Sequence, residues 1–376
     1  MTHRKEPEQI PERDGWAERS EYWISEISKS SRRRKLRERQ SEPLILCGHG
    51  ISLRIQNGAL IVREGFTHHP QETTLHRFFR GDLNLPTRLI LLDGSGTLSF
   101  DVMTWLVEQG VSLIRMTWDG QYCALVSGSA FPLVPAKVAF QRRLQADRLV
   151  RLQFSIGLIA EKLRGSITTL HSYLPSEAAV AAIEKAEKGL SMLDHLDTDD
   201  MQKVRAIEGQ CAAAYFGAWR TVTPQWIGEK RFPMPSDWKI YWSRSSLRTK
   251  RTPTNSRAGH PVNSMLNYAY AVKVSLLQEQ LTARGFDQRL GVMHHSRDEY
   301  AAFAYDLIEI ERPHVDGLIL DLLKRQTFSA ADFVIRKDGA CRLSPQLAKM
   351  IAKMVTSAGA GGRYRSIDWL ARNWAG

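Results

Sequence analysis

Three separated sites in the chain carry side chains of the types that commonly bind divalent cations in proteins. They are Glu208 in an Ala-Ile-Glu-Gly segment, His294 in a Gly-Val-Met-His segment, and the pair Asp306 and Glu309 just before Arg312. Carboxylates suit Mg²⁺ or Mn²⁺, and an added imidazole favours Mn²⁺ or another transition ion. A metal held this way can polarise a phosphoryl oxygen and orient an attacking hydroxyl.

Spacing alone leaves a second interpretation open at each site. Asp306 and Glu309 are three residues apart and would share a helix face, which is equally typical of a solvated surface. A single His294 after an apolar run can be packed or exposed without binding anything, and Glu208 within a helix would ordinarily be a surface residue. The residues that flank each site are therefore needed to choose between the two interpretations.

The charge of the chain indicates a polyanionic partner. The 376 residues carry a formal net charge of +12, with a pI of about 9.6. Nucleic acid is the first candidate and an anionic membrane surface the second. We expect a cytoplasmic protein that does not enter a membrane, because apolar runs long enough to span one and a secretory signal are both missing. The four cysteines lie far apart, as expected for reduced thiols.

The sequence predicts an α+β protein in three parts. Residues 1–43 are densely charged and predict a flexible arm with at most a transient helix, either a phosphate-binding segment around Arg32–Lys35 or a solvated tail. Residues 44–130 predict a small β-rich domain, with a hairpin turning at Asn57-Gly58. Asp93–Gly96 reads as a strand-to-helix turn rather than a phosphate loop, since Lys-Ser/Thr does not follow.

Residues 135–376 predict a larger all-α domain. The apolar periodicity favours helices over 137–163, 176–194, 198–220, 261–284, 298–310, 313–325 and 344–356. Residues 226–260, between two of these segments, predict a long loop.

This loop is a candidate nucleic-acid contact. Its basic residues are Arg244, Arg248, Lys250, Arg251 and Arg257. Basic side chains here suit phosphate contacts, and the preceding aromatic residues could stack on bases. The aromatic residues are Trp238, Tyr241 and Trp242. A solvated loop with ordinary buried tryptophans is the alternative.

Five blocks in order resemble the CRISPR-associated integrase, the metal-dependent enzyme of the spacer-acquisition machinery. The blocks are Glu208-Gly209 with Ala212 and Tyr215-Phe216; Pro261–Asn263 with Leu266–Tyr268; Gly291–His294; Asp306–Glu309 with Arg312-Pro313 and Asp316; and Asp332-Phe333 with Gly339 and Leu343-Ser344. The resemblance extends from Leu44 to Met354.

The resemblance implies a metal site and a reaction. It implies Glu208, His294 and Glu309 as ligands of Mg²⁺ or Mn²⁺, with Asp306 as a supporting carboxylate or an alternative ligand. In that family the 3′-hydroxyl of a short double-stranded DNA attacks a phosphodiester at the end of a repeat. Arg312, from the Arg-Pro motif, joins the predicted DNA contacts. The resemblance also implies a homodimer formed through the β-rich domain and a small ferredoxin-like companion protein.

Three departures from the family pattern limit the assignment. His260 stands where the family has Asp, Glu311 stands where Phe is common, and His295 directly follows the proposed ligand His294. Two other functions stay open beside the integrase. One is a metal-dependent nuclease or branched-DNA resolvase that does not join strands, and the other is a non-catalytic, architectural DNA-binding subunit.

Overall fold

The computed structural model has a β-sheet domain followed by a larger helical part, which confirms the predicted α+β class. It describes residues 15–30, 37–67, 73–117, 122–126, 133–196, 201–244, 247–248, 253–254, 258–294, 301–358 and 364–374. None of the helices in these ranges is both long and apolar enough to cross a bilayer.

The described helices and strands follow the predicted parts only approximately, because residues 135–376, predicted to be all-α, also contain six short strands. The helices are α1 (Trp16–Lys29), α2 (Phe100–Glu108), α3 (Pro135–Ala146), α4 (Arg148–Tyr173), α5 (Glu177–Asp194), α6 (Met201–Gly217), α7 (Pro261–Ala283), α8 (Ala302–Arg325), α9 (Pro345–Ala358) and α10 (Arg365–Asn373). The strands are β1 (Leu44–Gln56), β2 (Ala59–Arg63), β3 (Leu75–Phe78), β4 (Arg88–Leu98), β5 (Ser112–Met116), β6 (Tyr122–Val126), β7 (Gln225–Trp226), β8 (Leu247–Arg248), β9 (Pro253–Thr254), β10 (Thr327–Phe328), β11 (Phe333–Ile335) and β12 (Cys341–Leu343).

The first six strands form one mixed sheet in the order β3-β2-β1-β4-β5-β6. The predicted hairpin joins β1 to β2, and Asn57 and Gly58 both have positive φ, 50° and 74°, as a type I′ turn requires. Strands β1, β4 and β5 run parallel, with α2 as the crossover between β4 and β5.

The prediction of a strand-to-helix turn at Asp93–Gly96 is wrong, because β4 continues through these residues to Leu98. Asp93 and Gly94 have φ of 51° and 75°, and the β1–β4 pairing shifts register here. A Cβ atom on Gly94 would lie 1.8 Å from the carbonyl oxygen of Gly48. These glycines therefore permit two strands to approach at a bulge.

Both faces of the sheet are covered. On one face Leu46, Leu89 and Leu113 pack with Trp105 of α2. On the other face Ile45, Ile90 and Ile114 belong to the same core as the helical part. The alternation along each strand explains this division, since successive side chains point to opposite faces. The sheet thus forms a base for the helices that carry the candidate site.

Helix α8 is continuous, although the sequence predicts a break at Pro313. Pro313 cannot donate the usual backbone hydrogen bond. The hydroxyl of Thr169 donates to the Pro313 carbonyl at 2.7 Å and ties α4 to α8 at this point. Gly165 of α4 leaves room for the ring, since a Cβ there would lie 3.1 Å from Pro313. Helices α4 and α8 consequently pack closely.

Two further differences from the prediction concern a divided helix and an additional helix. The segment predicted as one helix over 137–163 is divided at Asp147, whose extended backbone ends α3 and whose carboxylate caps α4 by accepting the N–H groups of Leu149 and Val150. Helix α10 was not predicted at all.

The predicted flexible arm is wrong for residues 16–29, which form α1 and pack on the helical part. Trp23 is fully buried, and its indole donates to Asp332 at 2.7 Å. The guanidinium of Arg19 pairs with the same carboxylate at 2.8 Å. The charged composition hid the few aromatic residues that anchor the helix. Residues 1–14 and 31–36, which include the basic run Arg32–Lys35, lie outside the described residues.

Candidate active site

Helices α4, α6 and α8 bring Glu208 and Glu309 to a common cation. The ammonium of Lys162, on α4, lies 2.7 Å from Oε2 of Glu309 on α8. The same ammonium donates to Oε1 of Glu208 on α6. Two of the residues predicted from the sequence therefore face each other across Lys162, which the sequence did not single out.

Asp306 fixes the loop that carries His294. Its buried carboxylate accepts the backbone N–H groups of Val292, Met293 and His294, the last at 2.9 Å. The Nδ1 atom of the His294 ring lies 2.7 Å from Oδ1 of Asp306. Because an ionised carboxylate only accepts, Nδ1 carries the proton and Nε2 is left for another ligand. The same hydrogen bond raises the pKa of His294.

Glu309 is ionised in this environment. Burial opposes the charge, but the Arg312 guanidinium and the Lys162 ammonium outweigh it and lower the pKa of Glu309 to about 2. Arg312 lies 3.2 Å from Oε1 of Glu309. Oε2, the other oxygen of Glu309, is the one paired with the Lys162 ammonium.

The donor set fits a hard or borderline divalent cation in its chemistry. Two carboxylates and one imidazole, with Nδ1 held by Asp306, match the preferences of Mg²⁺ and Mn²⁺. Among the described residues, three His, Cys, Asp or Glu side chains do not converge closely enough to hold an ion. The Lys162 ammonium, in contact with both glutamates, holds the place between them.

A cavity of about 1120 Å³ opens beside these charges. Its lining includes Lys162, Glu208, Arg244, Arg312 and Trp242. Arg244 is bonded to Asn263 and Asn267, and the guanidinium carbons of Arg244 and Arg312 lie 5.3 and 5.1 Å from the centre of the Tyr270 ring. Two fixed guanidinium groups therefore give the cavity a positive wall.

The other predicted DNA contacts are only partly covered by the structure. The backbone of Arg248 lies in β8, which pairs with β9, and its side chain lies outside the described residues. Lys250, Arg251 and Arg257 also lie outside them, as does His295. Their roles stay predictions.

The aromatic residues before the basic loop divide into two groups. Trp238 and Tyr241 are buried, with the Trp238 indole donating to the Gly259 carbonyl at 2.9 Å. The interpretation of these two as base-stacking residues is therefore wrong, because their rings are part of the core. Trp242 is 65% exposed and lines the cavity, so it alone of the three is placed to stack on a ligand.

Asp316 is a further acidic residue at the cavity, to which the sequence analysis assigns no role. It is buried and accepts the hydroxyl groups of Tyr215, at 2.9 Å, and Tyr270. Burial raises the pKa of Asp316 to about 6, against the hydrogen bonds from the two tyrosines. The network holds Tyr270 beneath Arg244 and Arg312.

Two departures from the family pattern have structural explanations. Glu311 points away from the site, pairing with Lys273 at 3.2 Å and accepting the Ser366 N–H at 3.0 Å, so it anchors α10. His260 caps α7, because its Nδ1 accepts the N–H of Val262. Burial lowers the pKa of His260 to about 4, which keeps this nitrogen available as an acceptor.

Sequence reasoning missed two basic residues that shape the site. Lys162 stands within a long periodic helix, where a lysine normally indicates a solvated face. Arg205, one turn before Glu208, donates to the Met293 carbonyl at 3.0 Å and ties α6 to the His294 loop. Their partners lie far away in sequence, so spacing gives no signal for either residue.

The chain is similar in sequence to known endonucleases. The family model for the CRISPR associated protein Cas1 matches residues 44–356. The CRISPR-associated endonuclease Cas1 of Korarchaeum cryptofilum is 24% identical over 300 residues, covering 75% of this chain and 77% of that protein. The CRISPR-associated endonuclease Cas1 1 of Thermus thermophilus is 25% identical over 300 residues, covering 79% and 80%.

Solved structures share the fold. A casposase bound to integration product superposes with a TM-score of 0.65 at 21% identity, over 84% of this chain and 82% of that one. A Cas1 protein from Thermotoga maritima gives a TM-score of 0.61 at 14% identity, over 88% and 93%. With the match of the family model to most of its length, the chain belongs to the Cas1 family.

Proposed function

We propose that this protein is a metal-dependent DNA integrase of CRISPR adaptation that joins short DNA fragments to a repeat. The observation that carries this proposal is the meeting of Glu208 and Glu309 at one cation, beside the cavity wall formed by Arg244 and Arg312. The named endonuclease relatives and the casposase neighbour support nuclease or integrase chemistry.

Glu208, Glu309 and Nε2 of His294 would hold Mg²⁺ or Mn²⁺. When bound, the metal would supply Lewis-acid activation of a 3′-hydroxyl and neutralise charge on the attacked phosphate. Asp306 acts through His294, because it fixes the ring orientation and the proton on Nδ1. Its own oxygens already accept three N–H groups and Nδ1, which favours a positioning role over direct ligation.

Arg244 and Arg312 would hold the phosphodiester. Guanidinium groups bind phosphate oxygens through several parallel hydrogen bonds, and both groups are anchored at the cavity. Positioning of the attacking hydroxyl and stabilisation of charge then account for the reaction, a transesterification in which one phosphodiester replaces another. Trp242 would stack on a base beside this phosphate.

The partners in this proposal are double-stranded DNA with 3′-hydroxyl ends, a repeat target and a second copy of the chain. A Cas6-RT-Cas1–Cas2 complex shares the fold, with a TM-score of 0.58 at 18% identity. Because that complex contains both Cas1 and Cas2, the proposal includes a second, companion protein. That the companion is small and ferredoxin-like, and that this chain forms a homodimer, are implied by the family resemblance. A cytoplasmic location is part of the same proposal.

A joining assay separates the three candidate functions. Purified protein, a supercoiled plasmid and labelled duplexes with 3′-hydroxyl ends are incubated with Mn²⁺ or with EDTA. We expect the label to become covalently attached to the plasmid in the presence of Mn²⁺ but not in the presence of EDTA. Cleavage of branched DNA without joining would identify a nuclease or resolvase. Tight DNA binding with neither cleavage nor joining would identify an architectural subunit.

A further inference from the structure

Lys162 occupies the place between the two carboxylates that the proposed function gives to a metal ion. Its ammonium contacts Glu309 at 2.7 Å and also Glu208, and its side chain is only 13% exposed. The three residues come from three different helices, α4, α6 and α8. One lysine therefore bridges the parts of the chain that form the site.

The charges around Lys162 account for its position between the two glutamates. Glu208 and Glu309 would repel each other across the site, and a buried carboxylate is costly without a partner. Lys162 and Arg312 supply two positive charges that balance the two negative ones. A divalent cation bound to the same oxygens would repel the ammonium, so the two cations compete for one position.

We propose that Lys162 is a built-in counter-ion, which holds Glu208 and Glu309 together in the metal-free protein and is exchanged for the divalent ion on loading. The proposal rests on the proposed function. Lys162 also lines the cavity of about 1120 Å³, so the displaced ammonium has room on its flexible stem. Lys162 is a positioning residue, because its contacts are with the carboxylates.

Mn²⁺ affinity tests the exchange directly. Because the metal must displace the ammonium, Lys162→Met is expected to bind Mn²⁺ at least about 10-fold more tightly in calorimetric titrations, which is about 1.4 kcal/mol. Lys162→Arg keeps the charge and should not show this gain. Lys188→Met, at an exposed position on α5, is the matched control. Unchanged or weaker Mn²⁺ binding by folded Lys162→Met would overturn the proposal, since a merely structural lysine gives that result.

A second measurement uses the unaltered protein and therefore does not depend on the folding of a variant. Reductive methylation followed by peptide mass spectrometry reports the access of reagent to each lysine amine. Lys162 should be protected without metal and labelled several-fold faster at saturating Mn²⁺, whereas Lys188 should be labelled equally in both states. Equal labelling of Lys162 with and without Mn²⁺ overturns the exchange.

Glu208→Gln distinguishes failure of this inference from failure of the proposed function. If Glu208→Gln binds Mn²⁺ as well as the unaltered protein does, the metal site itself is wrong and the exchange falls with it. If Mn²⁺ binding requires Glu208 but Lys162→Met shows no gain in affinity, only the exchange is wrong.

Discussion

The Nδ1 atom of His294 lies 2.7 Å from Oδ1 of Asp306, a fully buried carboxylate on α8. Asp306 also binds the backbone around His294, so ring and loop are oriented by one side chain. This relationship divides the acidic pair identified in the sequence. Asp306 supports the imidazole, while Glu309 faces Lys162 and Glu208.

Asp306→Asn is expected to weaken Mn²⁺ binding by about 10- to 100-fold, because an amide cannot accept from all four donors and no longer fixes the His294 ring. Calorimetric titration of the folded variant, checked by circular dichroism, measures this loss. His295→Ala should bind Mn²⁺ normally, since the Asp306 contact selects His294. If His295→Ala loses Mn²⁺ binding while Asp306→Asn binds normally, the ligand is His295 and the assignment of His294 is wrong.

Asp316 should make stability depend on pH in a defined direction. Its pKa is raised from 3.8 to about 6 in the folded chain, so the folded state binds the proton more tightly. The stabilisation is complete below the unfolded pKa and is lost as pH rises through about 6. The total is about 3 kcal/mol.

Asp316→Asn removes this titration; its amide oxygen can accept from one of Tyr215 and Tyr270, and its NH₂ group faces the other hydroxyl. The difference in free energy of unfolding, unaltered protein minus variant, should therefore fall by up to about 3 kcal/mol between pH 4 and pH 7. Urea denaturation at several pH values measures it, and other titrating groups cancel in the difference. A difference that stays constant or grows with pH contradicts the raised pKa of Asp316.

Replacing Arg248 and Arg251 together by Gln should weaken DNA binding broadly and reduce its salt dependence. Each lost phosphate contact lowers the slope of log affinity against log salt by about 0.9, so a reduction of about 2 is expected. Fluorescence anisotropy over a range of salt concentrations measures the slope. Lys185→Gln with Lys188→Gln on α5 removes the same charge from an exposed face. Equal slopes for both double variants would mean that Arg248 and Arg251 belong to a solvated loop and do not contact phosphates.

Trp23→Ala should lower the free energy of unfolding by about 3–5 kcal/mol, because it removes a fully buried indole and leaves Asp332 without one donor. Trp16 is on the same helix but 47% exposed, so Trp16→Ala should cost less than about 1 kcal/mol. Chemical denaturation compares the two variants. Equal, small effects would mean that α1 is detached in solution.

The sequence predicts those features that depend on local patterns or on the family motifs. The Asn57-Gly58 hairpin follows from turn chemistry and is confirmed. The assignment of Glu208, His294 and Glu309 as metal ligands rests on the family motifs around them and stays a prediction. Lys162 could not be found this way, because its meaning depends on two carboxylates contributed by other helices. The role of Asp306 needed the loop geometry that only the folded chain provides.

The errors have a common physical origin in long-range packing. Charge density in the N-terminal segment concealed Trp23, whose partner Asp332 is far away in sequence. Pro313 is normally a helix breaker, but Gly165 of α4 leaves room for its ring and Thr169 of α4 bonds its carbonyl. In both cases a distant contact outweighed the local preference, which composition and periodicity cannot reveal.

The joined product itself tests the central claim most directly. Duplexes with 3′-hydroxyl or 3′-deoxy ends are incubated with plasmid, Mn²⁺ and either the unaltered protein or Glu208→Gln, and the junctions are sequenced. We expect a new phosphodiester between the fragment 3′-oxygen and plasmid DNA only with the unaltered protein and 3′-hydroxyl ends, and a loss of at least about 100-fold for Glu208→Gln. Undiminished joining by Glu208→Gln, or by 3′-deoxy ends, would contradict the account.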